Sequence, residues 1–232
     1  GYIPPFRALE NPTSAIASEV ITADGKTIGK YFRENRSMVE FSNLSPHLVN
    51  ALIATEDIRF YGHSGIDLKG VVRAIIKTGI LGDPSGGGGS TISQQLAKLL
   101  YSPHSKTIWE RIKQKLNEWV IAVKLERSYT KNEIISIYLN QFDFNNLAVG
   151  IKSASKIYFS TTPDSLKIEQ AATLIGMLQN PSLYNPVRRR ELTESRRNVV
   201  LGQMNKYGYI KDQVYDSIKN IPLEIKFQRV DH

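Results

Sequence analysis

Apolar residues along most of this chain recur at intervals of three and four, which is the spacing of amphipathic α-helices. The first such set follows Ser45 and Pro46, a pair suited to the cap and the first position of a helix. Its apolar members are Leu48, Val49, Leu52 and Ile53. Helical spacing continues to about residue 219, so we expect a mainly α-helical fold.

Further helices are predicted from their start signals, since Ser, Thr and Asp side chains accept hydrogen bonds from the free N–H groups of a first turn. These caps are Asp67, Ser90 or Thr91, Thr130 with Glu133 as a capping box, and Asp164 or Ser165. A long helix is predicted over about 107–127. The helix after Asp67 is amphipathic and basic, with Lys69, Arg73 and Lys77 at four-residue steps beside its apolar face.

The two ends of the chain have a different pattern. Residues 17–33 alternate loosely around Asp24-Gly25, a dipeptide that suits a tight turn, and predict a small β-hairpin. In the segment LEIKF at 223–227, apolar residues alternate with charged ones, which predicts a short strand.

Composition narrows the classes of protein. With 232 residues and 41% hydrophobic content, the chain can bury one sizeable core. It has no cysteine, which excludes disulfides, thiol catalysis and Cys-ligated zinc. The longest stretch without charge, 18 residues at 170–187, is interrupted by Pro181 and Pro186, so neither a transmembrane helix nor a signal peptide is expected. The net charge of +8 suits an anionic partner such as nucleic acid, lipid headgroups or a phosphorylated substrate, or it serves solubility alone.

Candidate chemistry begins at the end of the first helix, in the segment EDIRFYGHSGID at 56–67. Glu56 follows Leu52 and Ile53 by one turn, so desolvation could raise its pKa toward that of a general base. The ordinary alternative is a helix-terminal acid exposed to water. His63 is likewise either part of a site or a structural imidazole.

Two further segments carry polar groups. GGSTISQQLAKLLY at 88–101 brings helix N-terminal N–H groups together with hydroxyl, amide and ammonium groups, which suits an anion or a sugar. It lacks the lysine of a P-loop, and it could also be a flexible loop before an ordinary capped helix. In QKLNEWVIAVKLE at 114–126, Lys115 and Glu118 lie three residues apart on one helical face, as part of a site or as a solvated ion pair.

Two segments nearer the C-terminus, 138–159 and 169–186, are mainly core by their periodicity. Asn140 is the polar exception. Their small residues would let helices approach closely. These are Ala148, Gly150, Ala154, Ala171, Ala172 and Gly176.

Taken together and in this order, the five segments closely resemble the five motifs of the family 51 peptidoglycan glycosyltransferases, the polymerase module of class A penicillin-binding proteins. The resemblance covers about residues 45–205. It implies a lysozyme-like, mainly helical glycosyltransferase domain that polymerises lipid II into β-1,4-linked glycan, with inversion and release of undecaprenyl diphosphate.

Matching the motifs residue by residue implies roles for individual side chains. Glu56 matches the catalytic base, and Glu118 matches the second glutamate, beside Lys115 at the donor diphosphate. The remaining substrate-binding matches are Asp57, Phe60, His63, Ser90, Thr91, Gln94, Gln95, Lys98, Lys106 and Asn140. The third motif departs from the family because Gln114 and Asn117 stand where basic residues are usual. Asn145 and Ser160 replace glycines, and the stretch between Lys106 and Glu118 is longer than expected.

The resemblance also implies a setting at the extracytoplasmic face of the bacterial cytoplasmic membrane. Residues 1–44 would be a linker, 45–220 the catalytic domain with a mobile, membrane-associated lobe at 65–90, and 221–232 a connection toward a transpeptidase domain. A membrane anchor is expected before Gly1. The implied partners are lipid II, the growing glycan, the outer leaflet and moenomycin-type inhibitors, with no nucleic acid. No cofactor is required, and Mg²⁺ or Mn²⁺ at the diphosphate is optional.

Two other functions remain open from the residues alone. A lysozyme-like hydrolase would also place a glutamate on a helical fold, but it needs an acid for the leaving sugar oxygen and has no use for a lysine at a diphosphate. A basic helical module could bind nucleic acid, although the usual recognition motifs are not apparent.

Overall fold

The computed structural model describes residues 19–21, 27–30, 38–74, 89–101 and 107–228. The chain divides into two compact units, residues 1–38 and 39–232. In the first unit, β1 (Glu19–Ile21) pairs with β2 (Thr27–Lys30) in an antiparallel register that sets Glu19 opposite Lys30. The turn predicted at Asp24-Gly25 lies outside the described residues, so the hairpin as a whole stays a prediction.

The second unit is built from helices, as the periodicity predicts. Within the described residues they are α1 (Pro46–Glu56), α2 (Leu68–Ala74), α3 (Ile92–Tyr101), α4 (Ile108–Ser128), α5 (Lys131–Gln141), α6 (Ile151–Phe159), α7 (Ile168–Met177), α8 (Arg190–Lys206) and α9 (Asp212–Ile218). Short 3-10 turns occur at Phe41–Asn43, Phe60–Gly62 and Pro163–Ser165.

Most of the predicted helix starts are confirmed. Ser45 Oγ accepts from the N–H of His47 at the start of α1, and Thr91 Oγ1 accepts from Gln94 at the start of α3. Thr130 and Glu133 form the predicted capping box of α5.

One predicted cap is wrong. Asp164 and Ser165 belong to a separate 3-10 turn that Pro163 begins, and α7 starts only after Lys167. The N–H of Lys167 donates to the side chain of Gln170, so the first turn of α7 is capped from inside the helix. Pro163 fits the first position of a short turn as well as that of a long helix, which is why the sequence is ambiguous here.

The core lies where α7 packs against both α1 and α8, while α3 packs against α4 and α5. The predicted apolar face of α1 is buried throughout. Gly176 of α7 is a point of close approach, since a Cβ there would lie 3.1 Å from Cγ of Arg196 on α8. Helix α1 packs against both α7 and α8, and Glu56 is its last residue.

The loop between α5 and α6 contains several left-handed residues. Asn145, Asn146 and Leu147 have φ angles of 63°, 51° and 64°, and Ser160 at the end of α6 has φ 52°. Left-handed backbone costs a residue with a Cβ roughly 1–2 kcal/mol, which glycine avoids. This conformation explains why glycine is the residue expected at 145 and 160.

The short C-terminal strand predicted at 223–227 is not formed. The segment is irregular, and Leu223 is buried while Phe227 is 39% exposed. Its N–H groups at Lys226 and Gln228 donate to the carbonyls of Tyr158 and Ile157 at the end of α6. The apolar alternation is real, but the segment pairs with a helix end and not with another strand.

Helix α4 has an exposed apolar ridge along its N-terminal half. Its members follow one another at four-residue steps and are between 46% and 76% exposed: Ile108, Ile112, Leu116 and Val120. Trp109 beside them is 73% exposed. Glu118, two residues beyond Leu116 and about 200° around the helix, belongs to the buried face. Of the helices that the structure describes, none has the length and apolar character needed to cross a membrane.

Candidate active site

Glu56 ends α1 in a half-buried position beside the core. Its Oε2 accepts a hydrogen bond of 2.9 Å from Nε2 of Gln95 on α3. Burial raises the pKa of Glu56, with a smaller contribution from the neighbouring charge of Asp57, while the Gln95 bond and the charge of Arg196 oppose the rise. Glu56 is therefore not the water-exposed acid of the ordinary alternative, because desolvation favours a more basic carboxylate.

Gln95 is itself held from its other end. The hydroxyl of Tyr138 on α5 donates to Oε1 of Gln95 over 2.9 Å, and Tyr138 is only 1% exposed. Burial, with the nearby charge of Glu56, raises the pKa of Tyr138 well above its ordinary value. Three helices thus meet in one hydrogen-bonded series that runs from Tyr138 through Gln95 to Glu56.

Asp57 connects the first motif to the start of α3. Its buried carboxylate accepts from the backbone N–H of Ile92 over 3.1 Å and lies 3.0 Å from Nε2 of His63. The N–H of Gly65 donates to Nδ1 of His63, so these partners assign the ring proton to Nε2, where it faces Asp57. The bonds of Asp57 and His63 are therefore internal bonds that brace the turn after Glu56.

Lys115 and Glu118 meet on α4, as their spacing predicts. Nζ of Lys115 lies 3.3 Å from Oε2 of Glu118 and donates to Oγ of Ser90 over 2.8 Å. The Lys115 side chain is 43% exposed, whereas that of Glu118 is 6% exposed. Nε2 of Gln114 donates to the other oxygen of Glu118 over 3.1 Å. Glu118 is thus a buried acid, and Lys115 presents its ammonium group at the surface beside it.

Helix α3 joins these two groups. Ser90, just before the helix, binds Lys115, and Gln95, five residues later, binds Glu56. A substrate that contacts Lys115 with an anionic group could therefore extend along α3 toward Glu56.

Several predicted substrate-binding side chains lie beneath the surface. Phe60 is fully buried under the ammonium group of Lys131, which is 4.2 Å from its ring centre. Thr91 and Gln94 are each 1% exposed and cap α3, with Thr91 Oγ1 also donating to the carbonyl of Gly65. Nε2 of Gln94 is buried without a partner among the described residues. Direct contact of these three side chains with a substrate stays a prediction.

The other predicted residues lie in different settings. Lys98 is exposed on α3, one turn beyond Gln95, whereas Lys106 lies outside the described residues. The side-chain amide of Asn140 exchanges two bonds with the backbone of Val39, at 3.0 Å and 2.9 Å, and donates to the carbonyl of Ser136. These bonds give Asn140 a role in the fold, and none of the described hydrogen bonds connects it to Glu56.

Sequence reasoning did not identify three neighbours of the predicted acids. Arg196 on α8 acts on the charge of Glu56, Tyr138 holds Gln95, and Gln114 binds Glu118. Tyr138 and Gln114 belong to predicted motifs, so their positions within those motifs were available signals. Arg196 carries no comparable signal in the sequence, because its proximity to Glu56 depends on the packing of α8 against α1.

The carboxylates at this site are engaged by protein groups. Asp57 faces His63 and a backbone N–H, and Glu118 faces Lys115 and Gln114. Within the described ranges, no three His, Cys, Asp or Glu side chains converge in a way that could hold a metal ion. The residues present do not by themselves form the multi-oxygen site that Mg²⁺ or Mn²⁺ prefers.

The sequence matches a known protein family and several characterised relatives. A family model described as Transglycosylase matches residues 24–205. Penicillin-binding protein 1A/1B of Bacillus subtilis is 40% identical over 93% of this chain and 23% of its own length. Penicillin-binding protein 1A of Escherichia coli is 34% identical over 94% of this chain and 25% of its own length. The chain therefore spans about a quarter of the length of these curated relatives.

A solved structure gives the same fold. The 2.6 Å crystal structure of penicillin-binding protein 1A from Haemophilus influenzae superposes with a TM-score of 0.50 over 90% of this chain and 21% of that one. The sequence identity is 23%, so this likeness concerns the fold alone.

Proposed function

The chain belongs to the transglycosylase family, and from that premise we propose that it is a peptidoglycan glycosyltransferase that polymerises lipid II into β-1,4-linked glycan strands. The observation that carries the proposal is the position of Glu56, a desolvated carboxylate joined through α3 to an exposed lysine. A base and a cation at two points along one helix suit a sugar hydroxyl and a diphosphate in the same reaction.

Glu56 is the general base in this proposal. Its carboxylate takes the proton of the 4-hydroxyl of the acceptor disaccharide as that oxygen bonds to the anomeric carbon of the donor. The bond from that carbon to the diphosphate oxygen breaks, which inverts the α linkage to β and releases undecaprenyl diphosphate. General base assistance of this kind is typically worth about 10²–10⁴-fold in rate.

Lys115 is the group that meets the leaving diphosphate. Its ammonium group contacts Ser90 and Glu118, and the side chain remains 43% exposed. The ammonium group is therefore accessible to phosphate oxygens without a rearrangement of the core. Charge develops on the leaving oxygen as its bond breaks, and a fixed cation stabilises that charge. Glu118 and Gln114 set the direction of Lys115 from below. Because the described carboxylates do not assemble a cation site, we derive no step through a divalent ion.

We also place the domain at a membrane surface, at the extracytoplasmic face where lipid II would be available. The ridge of α4 and the exposed Leu68 and Val72 of α2 are apolar, and exposed basic residues accompany both sets. Amphipathic helices with Lys and Arg beside an apolar face lie in the interface of anionic membranes. In this proposal residues 45–220 form the catalytic domain, and residues 65–90 form the lobe nearest the lipid.

A polymerisation assay tests the function directly. The purified chain is incubated with labelled lipid II in detergent or liposomes, with and without moenomycin, and the products are resolved by size. We expect long glycan that disappears with moenomycin and is absent for Glu56→Gln. Soluble fragments released from preformed cell wall, without polymer, would favour a hydrolase instead.

A further inference from the structure

The orientation of the Gln95 amide matters because its two ends act oppositely on Glu56. Nε2 is a hydrogen-bond donor and stabilises a carboxylate, whereas Oε1 is an acceptor and would repel it. In the structure Nε2 faces Oε2 of Glu56 over 2.9 Å. A half-turn of the amide would exchange the two atoms with little change in shape.

The hydroxyl of Tyr138 selects between these orientations. It lies 2.9 Å from Oε1 of Gln95. Burial raises the pKa of Tyr138, so the hydroxyl keeps its proton and is a constant hydrogen-bond donor. A donor at this position pairs with Oε1 and not with the NH₂ group, which leaves Nε2 toward Glu56. Packing supports the placement, since the Tyr138 ring lies against Phe142 with centroids 6.1 Å apart.

We propose that Tyr138 is a positioning residue for the reaction, which fixes the amide of Gln95 so that its donor end faces Glu56. The inference rests on the proposed function, because it assigns to Tyr138 control over the proton affinity of the proposed base. Tyr138 acts through Gln95 and needs no contact with substrate. Removing its hydroxyl should therefore change the pH at which the enzyme becomes active more than its best rate.

Other charged groups near Glu56 define the background of this effect. Arg196 approaches from α8, and Asp57, which is bonded to His63, follows Glu56 in the chain. Tyr138 faces it from α5, beyond Gln95 on α3. Among the described interactions, α7 contributes no titratable group to Glu56. These neighbours stay in place in a Tyr138→Phe variant, so a shift can be assigned to the amide.

The test is the pH profile of kcat/KM for lipid II polymerisation by wild type and Tyr138→Phe. Loss of the fixed donor makes the carboxylate form of Glu56 less stable. The acid limb of the profile, where kcat/KM falls as Glu56 is protonated, should therefore move to higher pH by about one unit. Rates well above the limb should stay within about threefold of wild type. Tyr158→Phe is the matched control, since Tyr158 is also buried and donates to a backbone carbonyl away from the site. It should leave the limb unchanged.

A double-mutant cycle separates action through Gln95 from direct action. Gln95→Leu alone should move the limb in the same direction, and adding Tyr138→Phe to it should move the limb no further. A uniform rate loss at every pH, an unmoved limb, or additive effects in the double variant would each overturn the inference. If Tyr138→Phe does not fold, 3-fluorotyrosine at 138 keeps the packing and strengthens the donor, and the limb should move to lower pH; a fixed limb then overturns it.

Failure of this inference can be distinguished from failure of the proposed function. If Glu56→Gln is inactive and the acid limb of the pH profile does not move in Tyr138→Phe, Glu56 remains the proposed base and only the role of Tyr138 is rejected. A fully active Glu56→Gln would instead remove the proposed base.

Discussion

The carboxylate of Asp57 accepts the backbone N–H of Ile92 over 3.1 Å, although the two residues are 35 positions apart in the chain. This bond fixes the start of α3 against the end of α1. Glu56 directly precedes Asp57, and Gln95 follows Ile92 by three residues. The Asp57–Ile92 bond therefore also holds the proposed base, Glu56, at a constant separation from its partner Gln95.

Replacing Glu56 by Gln should reduce polymerisation by about 10²–10⁴-fold, because the amide cannot accept the acceptor's proton. Turnover of labelled lipid II measures the loss, and circular dichroism checks that the helices are retained. Gln95 and Tyr138 stay available to the new side chain, so the site should keep its shape. Wild-type-like polymerisation by the folded variant would exclude Glu56 as the base.

The same variant should be more stable than wild type at neutral pH. Burial raises the pKa of Glu56 in the folded state, so its contribution to stability is fully present below the unfolded pKa and is lost as pH rises through the folded pKa. The free energy gained by Glu56→Gln should therefore grow from acid to neutral pH. Urea unfolding across that range measures it, with Glu224→Gln at an exposed position as the control. A gain that is constant with pH would contradict the raised pKa.

Lys115→Ala should lower kcat by about 10²–10³-fold if the ammonium stabilises the leaving diphosphate. Lys113→Ala is the comparison, since Lys113 is exposed on the same helix and no described bond joins it to the site. It should change the rate by less than about twofold. Equal losses in both variants would indicate that general positive charge, and not the Ser90 and Glu118 contacts, makes Lys115 effective.

His63→Ala should destabilise the fold by about 2–3 kcal/mol, because it leaves the buried Asp57 carboxylate without one of its two donors. Urea unfolding measures the loss. His47→Ala, at an exposed side chain, should change stability by less than about 0.5 kcal/mol. If His63→Ala is as stable as wild type yet inactive, His63 contacts the substrate directly, as the family resemblance implies.

Charging the ridge of α4 should weaken membrane binding. Ile112→Glu and Leu116→Glu place carboxylates on a surface that we assign to an anionic lipid interface, so co-sedimentation with phosphatidylglycerol vesicles should fall at least about tenfold. Val199→Glu is a matched control, because Val199 is a similarly exposed apolar residue on α8. Unchanged sedimentation of the α4 variants would move the lipid contact elsewhere.

Local signals in the sequence predict the helices and the pairing of Lys115 with Glu118 because both depend on residues a few positions apart. The capping box of Thr130 and Glu133 and the start at Ser45 and Pro46 are examples. The predicted cap of α7 is wrong because Pro163 and Asp164 form a turn of their own. The strand expected near Leu223 failed for a different reason, since strand formation requires a partner that alternation alone does not reveal.

The motif positions predict a list of site residues, but they do not predict how deeply each side chain is buried. Asp57, Phe60, Thr91 and Gln94 match motif positions but lie buried. Asp57 and Thr91 join the first two motifs through hydrogen bonds, whereas Phe60 lies under Lys131. Arg196 reaches Glu56 only because α8 packs on α1. Motif positions therefore predict candidate residues, while packing decides which of their side chains are accessible.

Helix α4 also has a consequence for the height of the reaction. Its ridge runs over twelve residues, roughly 18 Å, so with the ridge on lipid the helix lies flat and not upright. Glu118 is on the far side and Lys115 at the margin, which sets them at most one helix diameter, about 10 Å, above that surface. In the membrane-bound arrangement that we propose, a lipid-linked diphosphate would need to rise only by this thickness, and the helix would act as a spacer that lets a sugar react while its lipid tail stays in the leaflet.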